Sequence, residues 1–152
     1  MDTIALLDFM RRHRVAVQSS VSASAHPQSA VVGIAITDRF EIVFDTLETT
    51  RKAQNLRRNS KVAFVIGGLS DGDERTVQFE GEADEPGGAE LERVKAAYYS
   101  AYPDGPGRVN WRGLIYVRAR PTWIRYSDYN VNPALIVEYP GEELVGLPRQ
   151  QY

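Results

Sequence analysis

The chain has 152 residues, a formal net charge of −2 and 25% charged residues, with no cysteine. That length suits one domain, which buries roughly 70% of the surface its unfolded chain exposes and needs no covalent staples. The composition excludes disulfides, zinc–thiolate sites and thiol nucleophiles, and it lacks the basic excess that a nucleic-acid footprint requires.

No stretch approaches the roughly 18 apolar residues of a membrane span. Residues 1–14 lack the basic start and apolar run of a signal peptide, so the expected location is the cytoplasm, with no membrane partner. Asp2 stands before residues 3–12 and the cluster Arg11-Arg12-His13-Arg14 closes them, which is the charge order of a capped helix. Ile4, Leu7 and Met10 are expected on its apolar face, and His13 at its capped end.

Strand patterns follow. One starts at Val15-Ala16-Val17, residues 22–28 read as a turn, and residues 30–36 read as the next strand. Thr37-Asp38-Arg39 turns the chain into Glu41-Ile42-Val43-Phe44. A helix is expected at 50–58 with Asn59 as its C-terminal cap, then a strand at 61–66. Gly67-Gly68 and residues 70–73 form a hairpin loop before the alternating strand Thr76 to Glu80. Pro86-Gly87-Gly88 breaks the pattern, and a helix at 89–101 carries Leu91, Val94 and Tyr98 as its stripe. Residues 102–110, with two prolines and two glycines, make a loop. Strands are expected at 114–120 and 122–126, with one more at 134–138, and the tail from Pro140 is expected to be loosely held.

Most strands follow one another through short turns, with few helical insertions. That predicts a mainly β fold, an antiparallel barrel with peripheral helices, formed by a single domain over 1–140 with a tail over 141–152. The strands at 30–36 and 62–66 are apolar on both faces, so each is expected to be covered twice, by the barrel interior on one side and by a helix or partner subunit on the other. In the strand at 114–120, Ile115, Val117 and Ala119 share one face, and Tyr116, Arg118 and Arg120 the other.

The most informative segment is Phe44 to Lys52. Thr46, Thr49, Thr50, Arg51 and Lys52 gather where a strand gives way to a helix. Arg51 and Lys52 fall in the first turn, where each cation costs about 0.3–1 kcal/mol against the helix dipole. An anion held on the free N–H groups of a helix start would offset them. Arg57 and Arg58 lie in the last turn, where cations are favoured, and read as structural.

Phe44-Asp45-Thr46, a three-residue gap, Thr50-Arg51-Lys52-Ala53, Leu56 and Asn59 resemble the flavin-phosphate segment of the pyridoxamine 5′-phosphate oxidase family. Pro27-Gln28-Ser29-Ala30 before it, Val77-Gln78-Phe79-Glu80-Gly81 after it and Val117 to Ile124 near the end match in order, over roughly residues 5–128. The resemblance implies an FMN-binding split β-barrel whose site lies at a homodimer interface. It implies that Thr46, Thr50, Arg51 and Lys52 hold the FMN phosphate, and that Val31, Val32, Gly33 and Ile34 run beside the isoalloxazine ring. The family's Gln after an Arg, which reaches the flavin from the partner chain, aligns with Thr76 after Arg75; Gln78, on the same strand face, is the substitute candidate.

True pyridoxamine phosphate oxidases carry an Arg-x-His element after the last barrel strand. This chain reads Ser127-Asp128-Tyr129-Asn130-Val131-Asn132-Pro133 there, so oxidation of pyridoxamine phosphate is not expected. Trp111-Arg112-Gly113 is similar to the family's Trp-Gly-Gly, read either as a lid or as interface packing. Trp123 and Tyr116 are expected to be outward aromatics covered by a dimer partner. No metal site, Walker loop or G-x-G-x-x-G fingerprint is present. The expectation is an FMN-dependent oxidoreductase of a small-molecule substrate, with Tyr116, Tyr126 and Tyr129 as candidate proton donors or stacking groups. The alternative is a non-catalytic carrier or sensor of flavin, the deazaflavin F420 or haem.

Overall fold

The computed structural model describes residues 1–144. Helix α1 spans Thr3–Arg11, capped by the Asp2 carboxylate accepting from the Ala5 N–H at 2.8 Å. At its other end His13 Nδ1 lies 2.9 Å from the Phe9 carbonyl. A carbonyl can only accept, so Nδ1 carries the hydrogen and His13 closes the last turn, as expected. The apolar face differs from expectation: Leu6, Leu7, Phe9 and Met10 are buried, while Ile4 is 57% exposed. At 100° per residue Ile4 falls about 140° from the centre of that buried set.

Eight strands form one antiparallel sheet: β1 Val15–Val21, β2 Pro27–Gly33, β3 Ala35–Ile36, β4 Ile42–Leu47, β5 Lys61–Gly67, β6 Arg75–Asp84, β7 Leu114–Asp128 and β8 Leu135–Pro140. The order is β2-β1-β5-β6-β7-β4-β3, and β8 also pairs with β7. The two ends of this path, β2 and β3, are separated in sequence only by Ile34. The sheet therefore curls into a barrel, and Cα atoms of β2 come within 8 Å of β4. The expected strand at 30–36 is thus two strands. One part pairs with β1 and the other with β4, and the Ile34 N–H donates to the Arg14 carbonyl at 2.9 Å where the chain crosses.

The strands expected at 114–120 and 122–126 are one strand, β7. Gly81 pairs with Pro121 and Glu80 with Trp123, so Thr122 is an extra residue. This bulge accommodates a proline that has no N–H to give. Gly81 tolerates no side chain there, since a Cβ would sit 2.3 Å from the Arg120 carbonyl oxygen.

Phe44, Phe64 and Phe79 fill the barrel interior, stacked edge to face at 6.0 and 5.6 Å. Helix α2, Arg51–Arg58, lies against β1 and β6, and α3, Gly88–Ala101, covers the outside of β3, β4 and the first half of β7. Tyr116 packs under α3 and is 9% exposed, so its cover comes from its own chain rather than from a dimer partner. Arg118, on the same strand face, is buried among carboxylates: Asp84 at 2.7 Å, Glu90 at 2.6 Å and Glu41 at 3.6 Å. Glu41 is buried too and takes a two-pronged contact from Arg93 at 2.8 and 2.9 Å.

The outer faces of β2, β1 and β5 carry no helix. Val31, Val15 and Val65 are 67%, 48% and 40% exposed, so the expected double cover of the 62–66 strand is absent within one chain. Residues Gly141–Leu144 form a short 3-10 turn that buries Leu144. The rest of the expected tail, 145–152, lies outside the described residues. Among the described residues no helix is long and apolar enough to cross a membrane.

Candidate functional site

Strand β4 delivers Thr46 to the barrel end, and the next four residues turn the chain into α2. Thr50 is the N-cap: its hydroxyl accepts from the Ala53 N–H at 3.3 Å and donates to the Leu47 carbonyl at 2.9 Å. With that hydrogen committed, the 3.1 Å contact between the Thr46 and Thr50 hydroxyls has Thr46 as donor. Thr50 thus holds the helix start in place, and Thr46 is the hydroxyl free to turn its hydrogen to an incoming acceptor.

The first turn contains no acidic residue. The backbone N–H groups of Arg51 and Lys52 have no partner among the described residues, and neither do their side-chain cations. The Glu48 carboxylate, in the loop before the helix, lies 3.9 Å from Arg57. Two amides and two cations are therefore uncompensated at the positive end of one helix, an arrangement suited to a phosphate. Two ties fix the loop: Gln54 Nε2 donates to the Glu48 carbonyl at 2.7 Å, and the Glu48 N–H to the Gly113 carbonyl at 2.8 Å. The Glu48–Gly113 tie also sets Trp111 and Arg112, both exposed, beside this loop. The last turn of α2 follows expectation, with Arg57 two-pronged on Glu85 at 2.8 Å.

The other sequence-predicted residues are spread along the sheet. Val31 faces out, Val32 is buried in the core, and Gly33 is half-buried. Gly33 has a reason of its own: a Cβ there would lie 2.7 Å from the Tyr102 hydroxyl and 3.0 Å from its ring. Tyr102 leans in from the end of α3, stacks on Tyr98 at 5.0 Å and donates to the Arg14 carbonyl. Gly33→Ala is expected to lower stability by about 1–3 kcal/mol through overpacking. Chemical denaturation of that variant alone and combined with Tyr102→Ala checks it; in the double variant the glycine's part of the loss should vanish.

Thr76 and Gln78 share the outward face of β6. Val31 is paired with Val17, Val17 with Val65 and Val65 with Gln78, so Val31 and Gln78 stand three strands apart in one row. That is about 14 Å at ordinary strand spacing. One chain therefore does not bring Gln78 or Thr76 to the β2 residues. Where an Arg-x-His element would lie, Ser127 is buried and Tyr129 is 54% exposed.

Asp45, between the core residue Phe44 and Thr46, was not singled out by sequence. Its carboxylate accepts from the Tyr98 hydroxyl at 2.9 Å and from Arg108 Nε at 3.0 Å. Burial, together with this carboxylate, pushes the Tyr98 hydroxyl well above its ordinary pKa. Tyr116 is likewise pushed up by burial and by Tyr99, and Tyr126 by burial and Asp128. Strand alternation after Phe44 predicts an outward Asp45; what it meets depends on α3 and the loop after it, which no local pattern specifies.

The fold is shared with known proteins. The pyridoxamine 5′-phosphate oxidase family model matches residues 3–126. No curated protein matches the chain. Among solved structures, a haem-binding protein from Mycobacterium smegmatis superposes with a TM-score of 0.79 at 16% identity, covering 95% of this chain and 60% of its own. A pyridoxamine 5′-phosphate oxidase-related, FMN-binding protein from Nostoc punctiforme superposes at 0.68 with 12% identity, covering 90% and 88%. HutZ, the haem storage protein of Vibrio cholerae, does so at 0.69 with 13% identity, covering 93% and 97%. At these identities the likeness is one of fold, and this chain spans 60% of the length of the Mycobacterium protein. With the match running through nearly the whole barrel, including the Thr46 to Lys52 turn, the chain belongs to the pyridoxamine 5′-phosphate oxidase family.

Proposed function

We propose that the chain binds FMN and acts as a flavin-dependent oxidoreductase on a small molecule in the cytoplasm. The observation that carries this is the start of α2, where two cations and two free amides adjoin the Thr46 hydroxyl with no acid in the turn. Bound FMN would supply hydride and electron transfer. The chain's own residues do the holding. Arg51 and Lys52 neutralise the phosphate, Thr46 donates to it, and Thr50 keeps the amides aimed. On β2 the exposed Val31 side chain offers an apolar surface to the ring, while Val32 points into the core and Gly33 lies under Tyr102.

A homodimer completes the reading. The exposed valines of β2, β1 and β5 form an apolar sheet face, and a second copy laid on it would cover them. It would also bring its Thr76 and Gln78 to residues that one chain keeps about 14 Å away. The missing Arg-x-His element argues for a substrate other than pyridoxamine phosphate.

Haem is the second reading, favoured by the two haem-binding neighbours. Against it, the two histidines share no pocket: His13 lies beside Arg11 and Arg14 at the end of α1, and His26 stands exposed on a hairpin tip, 2.9 Å from the Ser24 hydroxyl. F420 would use the same phosphate anchor. Titration of the purified protein with FMN and with riboflavin tests the proposal, since only FMN presents a phosphate.

A further inference from the structure

A cleft of about 370 Å³ opens on the side of the barrel where α1 ends and α3 passes. Its floor is the crossing segment Ile34 to Ile36, one wall is Arg11, His13 and Arg14, and the other includes Ala97 and Ser100. The volume lies in the range of small-ligand sites. No lining residue is acidic.

The charges are partly compensated. Arg11 pairs with Asp38 at 2.6 Å and donates through Nε to the Ile36 carbonyl at 3.2 Å. Arg14 contacts only a neutral carbonyl, that of Ala101, and lies over the Tyr102 ring at 4.6 Å. Its Nε and Nη1 have no partner among the described residues, and it makes no ion pair there. One uncompensated guanidinium thus faces the cleft. His13 Nδ1 is committed to the Phe9 carbonyl, and its Nε2 lies on the side of Gly67, away from Arg14. The floor and Ala97 are apolar, and the Ser100 hydroxyl makes no hydrogen bond with the described residues.

We propose that this cleft is a second ligand site, separate from the start of α2, and that it takes a small organic monoanion: a carboxylate on a compact apolar body. The carboxylate meets Arg14, a charge-assisted contact that a neutral ligand cannot make. The body lies on Ile34 to Ile36 and Ala97. One uncompensated charge suits a monoanion better than a phosphate dianion, and the apolar floor gives inorganic phosphate nothing to cover. The site is distinct from the phosphate anchor of the FMN reading, since it shares none of Thr46, Thr50, Arg51 and Lys52.

The test is a heteronuclear NMR titration of the full chain with benzoate as probe and inorganic phosphate as comparison. Benzoate is expected to saturate with a Kd on the order of 1 mM, a value appropriate to one charged contact plus a small apolar area. The shifting resonances should be those of His13, Ile34 to Ile36 and Ala97 to Ala101. Ser100 is exposed, so Ser100→Trp fills the cleft without touching the core, and binding should weaken at least about tenfold, the loss expected when an apolar surface is blocked. Arg14→Gln should weaken it similarly, while Arg51→Ala with Lys52→Ala leaves it unchanged. Absence of saturable shifts, unchanged binding in folded Ser100→Trp, or phosphate binding as tightly as benzoate would each overturn the proposal.

Discussion

Replacing Arg51 and Lys52 together with alanine should weaken FMN binding by about 10²- to 10⁴-fold. Each charge-assisted hydrogen bond to a phosphate is worth about 1.5–3 kcal/mol, and 1.4 kcal/mol is a factor of ten in affinity. The same variant should make the FMN-free protein more stable rather than less. Both side chains are without ion pairs among the described residues, and both stand at the wrong end of the helix dipole. Removing them relieves about 0.3–1 kcal/mol each, and alanine is the best helix former. For a chain of this size that is a rise of a few degrees in Tm. Calorimetry of the FMN-free variant and fluorescence titration with FMN measure the two effects separately. Opposite signs are expected; a parallel loss of stability and affinity would mean that the two residues support the fold instead.

The second large effect is expected beneath α3. Arg93→Leu removes the two-pronged partner of Glu41, whose side chain is 5% exposed. Breaking a buried pair from one side costs about 3–5 kcal/mol. Arg118 remains 3.6 Å from Glu41 and the Thr37 hydroxyl still donates to it at 2.6 Å, so about 2–4 kcal/mol is expected at neutral pH, or on the order of 5–15 °C in Tm. Burial pushes the Glu41 carboxyl up, but hydrogen bonds from Arg93 and Thr37 and the nearby guanidinium charges outweigh it and hold the carboxyl below its ordinary value of 4.5. A depressed carboxylate contributes stability above its unfolded pKa and loses it as pH falls through the folded value. Without Arg93 that depression is weakened and Glu41 protonates more readily. The gap between wild type and Arg93→Leu should therefore be widest near pH 7 and shrink below about pH 4.5. Denaturation midpoints across that range check it, and a gap that is constant with pH would place the loss in packing rather than charge.

The parts legible in the sequence are those set by local pattern. The order of strands and helices, the caps at Asp2 and Asn59, and the misplaced cations Arg51 and Lys52 all follow from spacing and residue type. What escaped depends on which element covers which. Residues 30–36 look like one strand because nothing local announces that the chain changes sheet edge at Ile34. Pro121 reads as a strand break, but a bulge opposite Gly81 absorbs it. Arg118 alternates outward as if toward solvent, and only the passage of α3 turns that face into a buried ion network. The resemblance sets Gly33 beside a flat ring, yet the side chain against it is Tyr102, 69 residues further along the chain. At the site itself the cations were readable, but the commitment of the Thr50 hydrogen to Leu47 required coordinates.

The phosphate recognition proposed for the start of α2 is tested most directly by comparing FMN with riboflavin. The two ligands share the ring and ribityl chain and differ only in the phosphate. Flavin fluorescence titration of the wild-type protein should show FMN binding at least about 100-fold more tightly than riboflavin, the equivalent of two charge-assisted contacts. The preference should fall with added salt, as partly exposed charges are screened. Equal affinity for the two flavins, or no binding of FMN, would contradict the account.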